Sequence, residues 1–233
     1  MSSFSFKHFS VEQSNSALKV GTDAMVLGAF IDAENANNSL DIGSGTGVLS
    51  LMIAQKNPTI HVTAIEIDES SCLDCLRNFL NSPWNNRLNL LNSNFLTQNF
   101  SGTFDLIFSN PPFYENSLIN SDTRKAKAKH ESHLSFYLLF EKVSKILSEI
   151  GTFWIIMPYE NANKWIENAS EYSLYCIQKI NIFAKPNSMK RTILVFSKIK
   201  SEMLLSDFII RNNDNSYSEE YIQLTKEFHS KVL

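Results

Sequence analysis

Residues 39–48 read Ser-Leu-Asp-Ile-Gly-Ser-Gly-Thr-Gly-Val. A short apolar strand enters a Gly-x-Gly-x-Gly turn, and the run from Val48 to Lys56 behind it has helical character, so the stretch predicts strand, loop and helix in succession. Gly43, Gly45 and Gly47 let the backbone approach a ligand closely, and the N-terminus of the following helix offers unpaired N–H groups. A dinucleotide fingerprint, Gly-x-Gly-x-x-Gly, requires glycine at position 48, where this chain has Val48. A nicotinamide oxidoreductase is disfavoured on that ground. Asp41, two residues before the first glycine, would repel a pyrophosphate and suits a ligand carrying an ammonium or sulfonium. Glu66 ends the next apolar run, Ile60–Glu66, where a carboxylate can accept hydrogen bonds from a ribose diol.

Outward from this unit, strands are expected at 39–43, 60–66, 87–91, 104–109, 152–158, 174–183 and 191–198, with helices at 47–56, 69–81, 133–148 and 160–170. Alternation of this kind predicts an α/β fold, a mainly parallel seven-stranded sheet with helices on both faces. Gly151 is expected to separate the long helix from its strand. The last two strands have no helix between them and read as an antiparallel hairpin. Within the helix at 69–81, positions 72, 73, 76, 79 and 80 are expected to form the apolar face, which makes Cys72 a core residue and Cys75 an incidental neighbour. Near the end of the chain, Ser218 is placed to cap a final helix with Tyr221, Leu224 and Phe228 on one side.

Residues 109–114 read Ser-Asn-Pro-Pro-Phe-Tyr and follow the buried run Phe104–Phe108. They therefore fall at the carboxyl edge of a strand, where open α/β sheets bind ligands. The Asn110 side-chain oxygen and the Pro111 carbonyl can accept both hydrogens of a planar NH2 group, and Phe113 offers a face for the attached ring. Tandem prolines can also simply end a strand. The glycine turn upstream favours the reading in which Asn110, Pro111, Pro112 and Phe113 form a catalytic element.

Together these motifs resemble the class I S-adenosylmethionine-dependent methyltransferases, in the branch whose (Asn/Asp)-Pro-Pro-(Tyr/Phe) motif methylates exocyclic or amide nitrogens. Four further stretches, Phe4–Phe9, Ala17–Gly28, Ser82–Trp84 and Tyr217–Phe228, resemble the bacterial family of tRNA1(Val) adenosine-37 N6-methyltransferases and spread the likeness over nearly the whole chain. The resemblance implies a Rossmann-like core at 39–200, a cofactor-covering segment at 1–38 and a C-terminal extension at 201–233, all in one methyltransferase domain. It implies S-adenosyl-L-methionine as cofactor, with Lys19, Thr22 and Asp23 over its methionine end, Asp41, Gly43, Gly45 and Gly47 flanking it, Glu66 on the ribose and Asn94 beside the adenine. Asn94 stands where the family more often has Asp. The antiparallel hairpin at the edge of the sheet is likewise a family feature.

At 233 residues, with 43% hydrophobic and 19% charged, the chain can bury one sizeable core. No run approaches the roughly twenty apolar residues that cross a bilayer, and the N-terminus lacks the pattern of a secretion signal, so a cytoplasmic protein is expected. Three cysteines make an odd count, against a secreted disulfide framework. Neither Cys72-x-x-Cys75 nor the histidines at 130 and 133 have the further ligands a zinc site needs, and no metal is expected. A net charge of −3 is unfavourable for an RNA partner unless the cations cluster. They do: Arg124, Lys125, Lys127 and Lys129 follow the Asn-Pro-Pro-Phe element, and Lys190 and Arg191 flank the turn between the last two strands. These six are the expected contacts to tRNA, bound by a monomer. Alternative readings are a protein glutamine N5-methyltransferase acting on release factors, whose amide would satisfy the same acceptors, and a non-catalytic RNA-binding protein on the same fold.

Overall fold

The computed structural model of the chain describes residues 3–16, 19–111 and 137–230. Pro112, Phe113 and the four cations between 124 and 129 lie outside the described residues. Among the described residues, eight strands form one mixed sheet. The glycine turn follows the central strand β3 (Asn38–Ile42), which is paired in parallel to β4 (His61–Glu66) on one side and β6 (Phe104–Ser109) on the other. Beyond β6 lie β7 (Leu147–Pro158), the antiparallel β9 (Met189–Ser197), β8 (Tyr175–Phe183) and β10 (Leu204–Ile209); β5 (Leu88–Asn92) closes the other edge.

Strand residues alternate between two cores, as the two-residue period of a strand requires. Leu106, Phe108, Trp154 and Ile156 pack on the side covered by α1 (Thr22–Phe30) and α2 (Val48–Lys56), a core that Cys75 and Phe79 of α3 (Glu69–Leu80) also join. Ile107, Phe153, Ile155 and Met157 pack on the other, against a helix described over 137–146, here α4, and α5 (Ala162–Ser170). Helix ends on the first side are closed by long cations. The Lys56 ammonium donates to the carbonyls of Ala29 and Ile31 at the end of α1, and Arg87 donates to those of Ala54, Asn57 and Ile60 around the end of α2. Among the described residues no helix is long and apolar enough to cross a membrane.

Three expectations need correction. Among the described residues the sheet has eight strands, and the hairpin β8–β9 is not its edge: β10 adds in parallel outside β8. Strand β10 escaped the pattern because Leu204, Leu205 and Ser206 are exposed and only Phe208 is buried, so the hydrophobic alternation of a half-buried strand is missing. Gly151 does not end a helix. It sits inside β7, where β6–β7 pairing slips between Phe104 and Leu106, and a Cβ there would meet Asp105 O at 3.0 Å and Leu147 Cδ1 at 2.9 Å.

The third correction concerns α3. Leu73, Leu76 and Leu80 are exposed, while Ser71, Cys72, Asp74, Cys75, Asn78 and Phe79 are buried, and Cys75 lies deeper than Cys72. A partly polar face is turned inward because it has backbone to hold. Asp74 accepts hydrogen bonds from the backbone N–H groups of Asn15 and Ser16 and from both their side chains, at 2.7–2.9 Å. Asn78 accepts from Glu12 N and donates to the carbonyls of Glu12 and Thr46. The segment carrying the small sheet β1 (Ser3–Ser5) and β2 (Ser10–Glu12) is thereby tied to α3 and, through Thr46, to the glycine turn. The last helix, α6 (Glu219–Thr225), is capped by Ser218, which accepts from Tyr221 N at 3.0 Å, and Tyr221 and Phe228 are buried.

Burial raises the Asp74 carboxyl, but the hydrogen bonds from Asn15 and Ser16 outweigh it and hold the group below its ordinary value. Its stabilisation is therefore fully present at neutral pH and lost only as the pH falls below the usual carboxylate range. Asp74→Ala leaves buried donors unsatisfied and is expected to cost roughly 2–4 kcal/mol in urea unfolding at pH 7. The segment before residue 19 should also become open to limited proteolysis. A variant as stable and as resistant as the parent would show that Asp74 does not hold that segment.

Candidate active site

Strand β3 ends at Ile42 and the chain turns through Gly43, Gly45 and Gly47, whose φ angles of +69°, +54° and +78° lie in the left-handed region. The three are not equivalent. A Cβ added at residue 43 or 45 would meet nothing within 4 Å, so this part of the turn faces open space. A Cβ at residue 47 would meet Phe79 Cε1 at 2.6 Å and Cys75 Sγ at 2.7 Å. Gly47 serves the packing of the turn on α3, and Gly43 and Gly45 leave room for a ligand.

Glu66, the last residue of β4, clasps the turn. Its Oε2 accepts from Gly45 N at 2.8 Å, and its Oε1 accepts from Ile67 N and Asp68 N at 2.8 and 2.9 Å. A carboxylate has about four lone-pair sites, so capacity remains for a hydroxyl donor. Asp41 is completely buried; one oxygen accepts from Ser50 N at 3.2 Å and Ser50 Oγ at 2.7 Å, and the other has no partner among the described residues. Burial pushes the Asp41 carboxyl up to about 7, against the lowering effect of the Ser50 hydrogen bonds, and nearby Glu66 adds to the rise. Such a group is poised to ionise when a cation arrives.

One strand over, β6 ends at Ser109, whose hydroxyl donates to Ile42 O at 2.8 Å and joins the two strand ends. The half-buried Asn110 and Pro111 follow directly, next to the glycine turn at the carboxyl edge of the sheet. Asn94 is exposed in the turn after β5, where its side chain accepts from Leu96 N. Asp23, at the start of α1, is bound to Arg191 Nε at 2.8 Å, so a residue expected near the cofactor and one expected near RNA form a single ion pair. Thr22, Asp23, Lys190 and Arg191 line one cavity between the start of α1 and β9, whereas Lys19 is exposed and lines no part of it. Arg211 also lines it and escaped the sequence reading, since β10 was not foreseen.

A central strand followed by a glycine turn, in this strand order with β9 antiparallel, defines a class I methyltransferase fold. A structure described as a predicted O-methyltransferase from Agrobacterium tumefaciens superposes with a TM-score of 0.70 at 14% identity, over 90% of this chain and 98% of that one. Ribosomal protein L11 methylase from Lactobacillus delbrueckii subsp. bulgaricus gives 0.57 at 18% identity, over 80% and 83%. Residues 9–165 match the model of the methyltransferase small domain. Relatives in Flavobacterium psychrophilum and Bacteroides thetaiotaomicron, each described as a tRNA1(Val) (adenine(37)-N6)-methyltransferase, are 39% and 36% identical, covering 98% and 97% of this chain and 100% and 96% of theirs. The chain belongs to the methyltransferase small domain family and, within it, to the family of these relatives.

The glycines can be told apart by stability. Gly47→Ala combines a disfavoured φ with a forced contact on Phe79 and Cys75 and is expected to cost on the order of 2–5 kcal/mol. Gly43→Ala and Gly45→Ala add only strain, about 1 kcal/mol each. Equal losses for all three in urea titrations would contradict the assignment.

Proposed function

We propose that this protein transfers a methyl group from S-adenosyl-L-methionine to N6 of an adenine in tRNA, at adenosine 37 of tRNA1(Val). The observation that carries the reading is the adjacency of Asn110 and Pro111 to the open side of the Gly43–Gly45 turn, joined through Ser109 and Ile42. Relatives of nearly the same length that bear this activity in their names support the choice of substrate. Such a substrate places the protein in the cytoplasm.

The residues fit the cofactor: two glycines with open space above them, a carboxylate at the end of β4, and a buried acceptor without a partner among the described residues. Glu66 would accept from a ribose hydroxyl, Asn94 would lie beside the adenine, and Asp41 would face the cationic methionine end, with Lys19 and Thr22 covering it. The cofactor supplies a methyl group made electrophilic by a sulfonium. The chain supplies position and fixed dipoles. Asn110 Oδ1 and the Pro111 carbonyl accept the two hydrogens of the adenine amino group, which draws its delocalised lone pair out of the ring plane toward the methyl carbon. Once the adenine nitrogen was methylated, its extra proton would leave to solvent, so this chain would need no general base. In this reading Pro112 completes the same element and Phe113 would stack the extruded base, which costs less to extract from an anticodon loop than from a duplex. Arg124, Lys125, Lys127 and Lys129 contact the RNA backbone.

Asp41 sets a pH dependence. In the free protein it is largely protonated at pH 6, and a bound cation favours its ionised form, so binding below pH 7 should release a proton and affinity should rise with pH until about 7. Calorimetry at pH 6 in two buffers of different ionisation enthalpy is expected to show this release in the parent and not in Asp41→Asn. Identical heats in both buffers for the parent would remove Asp41 from the cationic end of the site.

Asn110→Ala is expected to lower single-turnover methyl transfer on tRNA by about 100- to 1000-fold with cofactor affinity kept, the usual loss on removing one preorganised polar contact. Asn110→Asp should lose less, since a carboxylate still accepts the hydrogen bond. Near-parental transfer by Asn110→Ala would refute the proposed role, and an Asn110→Asp rate that climbed with pH past the parent's would point to base catalysis instead.

A further inference from the structure

Between the start of α1 and the carboxyl-edge ends of β8, β9 and β10 lies a cavity of about 450 Å³, within the size range of small-molecule sites. Its floor is apolar, made by Ile182, Ala184 and Ile210, and its rim carries Lys190, Arg191 and Arg211. The only carboxylate among the lining residues is Asp23, already bound to Arg191. A chain of net charge −3 thus concentrates an excess of two positive charges around one concave site. Arg211 is held in place there. Its backbone N–H continues the sheet by donating to Ala184 O at 3.2 Å, its guanidinium lies 3.9 Å from the centre of the Tyr217 ring, and its Nη1 donates to Asn215 O at 2.6 Å. An arginine stacked on an aromatic face loses little further freedom on meeting an anion.

The cavity shares an edge with the proposed catalytic element. Arg191 pairs with Pro158 of β7, and Ile155 of β7 pairs with Ser109, the residue before Asn110. Two strand spacings, roughly 10 Å, separate β9 from β6, and Ile182 on β8 and Ile210 after β10 lie three and four spacings away, roughly 14–19 Å. We propose that this cavity holds a nucleotide of the same tRNA strand a few residues from the methylated adenosine. Its phosphate lies on Lys190 and Arg211 and its sugar and base lie against Ile182 and Ile210, while Arg191 remains paired with Asp23. An apolar floor under a cationic rim matches a nucleotide better than a bare inorganic anion, which would leave the floor uncovered. The proposal rests on tRNA being the substrate and adds where a nearby nucleotide is gripped.

The test is tRNA binding, followed by fluorescence anisotropy across salt concentrations, for the full chain, Lys190→Gln, Lys190→Arg and Lys190→Gln/Arg211→Gln, with cofactor affinity measured in parallel. Each lost contact to single-stranded RNA should reduce the slope of log K against log salt by about 0.7, so by about 1.4 in the double variant, and lower tRNA affinity about tenfold or more at low salt. Lys190→Arg should keep the parental slope, and cofactor affinity should not move in any variant. Lys190→Gln leaves the Arg211 turn intact, so a reduced slope there cannot be charged to a disturbed fold. If the parent binds and methylates tRNA but the double variant keeps its slope, the cavity proposal falls alone. If the parent neither binds nor methylates tRNA, the functional reading falls and this proposal with it.

Discussion

Residue 47 cannot carry a side chain, because Phe79 and Cys75 already occupy the space a Cβ would need. That contact seats the turn after β3 on α3, and much of the site's order follows from it. With Gly47 left-handed at the head of α2, Gly45 N falls to Glu66 and the turn is clasped against the end of β4. Asn78, one residue from Phe79, fastens the Thr46 carbonyl and the backbone of Glu12 at once. A single helix face therefore fixes both the turn proposed to meet the cofactor and the segment proposed to cover it. Rigid support of this kind is what positioning catalysis demands, since the chemistry assigned to Asn110 and Pro111 consists of geometry and fixed dipoles.

The sequence was most legible where special backbone geometry forces residue choice. Left-handed turns select glycine at 43, 45 and 47, β6 ends at Ser109 where Asn110 and Pro111 follow, and a free helix N-terminus selects Ser218. Each signal is local, so one sequence carries it. The reading failed where a residue's role depends on a distant partner. The face of α3 was assigned by hydrophobicity to Leu73, Leu76 and Leu80, yet its buried side holds Asp74 and Asn78, whose partners lie some sixty residues upstream. A second helical spacing, 71, 72, 75, 78 and 79, was present in the same stretch, and only the polarity of its members hid it. Strand β10 and the bulge at Gly151 belong to the same class, since pairing rather than burial defines them.

The candidate site shows a similar division. Asp41, Glu66 and the glycines were readable as a group because they come from consecutive elements. Meeting Asp23 with Arg191 required the sheet itself, which brings the start of α1 to a strand 168 residues later. The net charge of the chain is a poor guide to its proposed partner, because three cations share one concave site with a single carboxylate, Asp23, while the other carboxylates are spread elsewhere or, like Asp41 and Asp74, buried.

If this chain methylates an adenine amino group in tRNA, nucleoside mass spectrometry of tRNA1(Val), purified from cells with the protein, without it, and with the protein restored, will find N6-methyladenosine at position 37 in the first and third samples and unmodified adenosine in the second. The same methylated nucleoside at the same level in all three samples would contradict that reading.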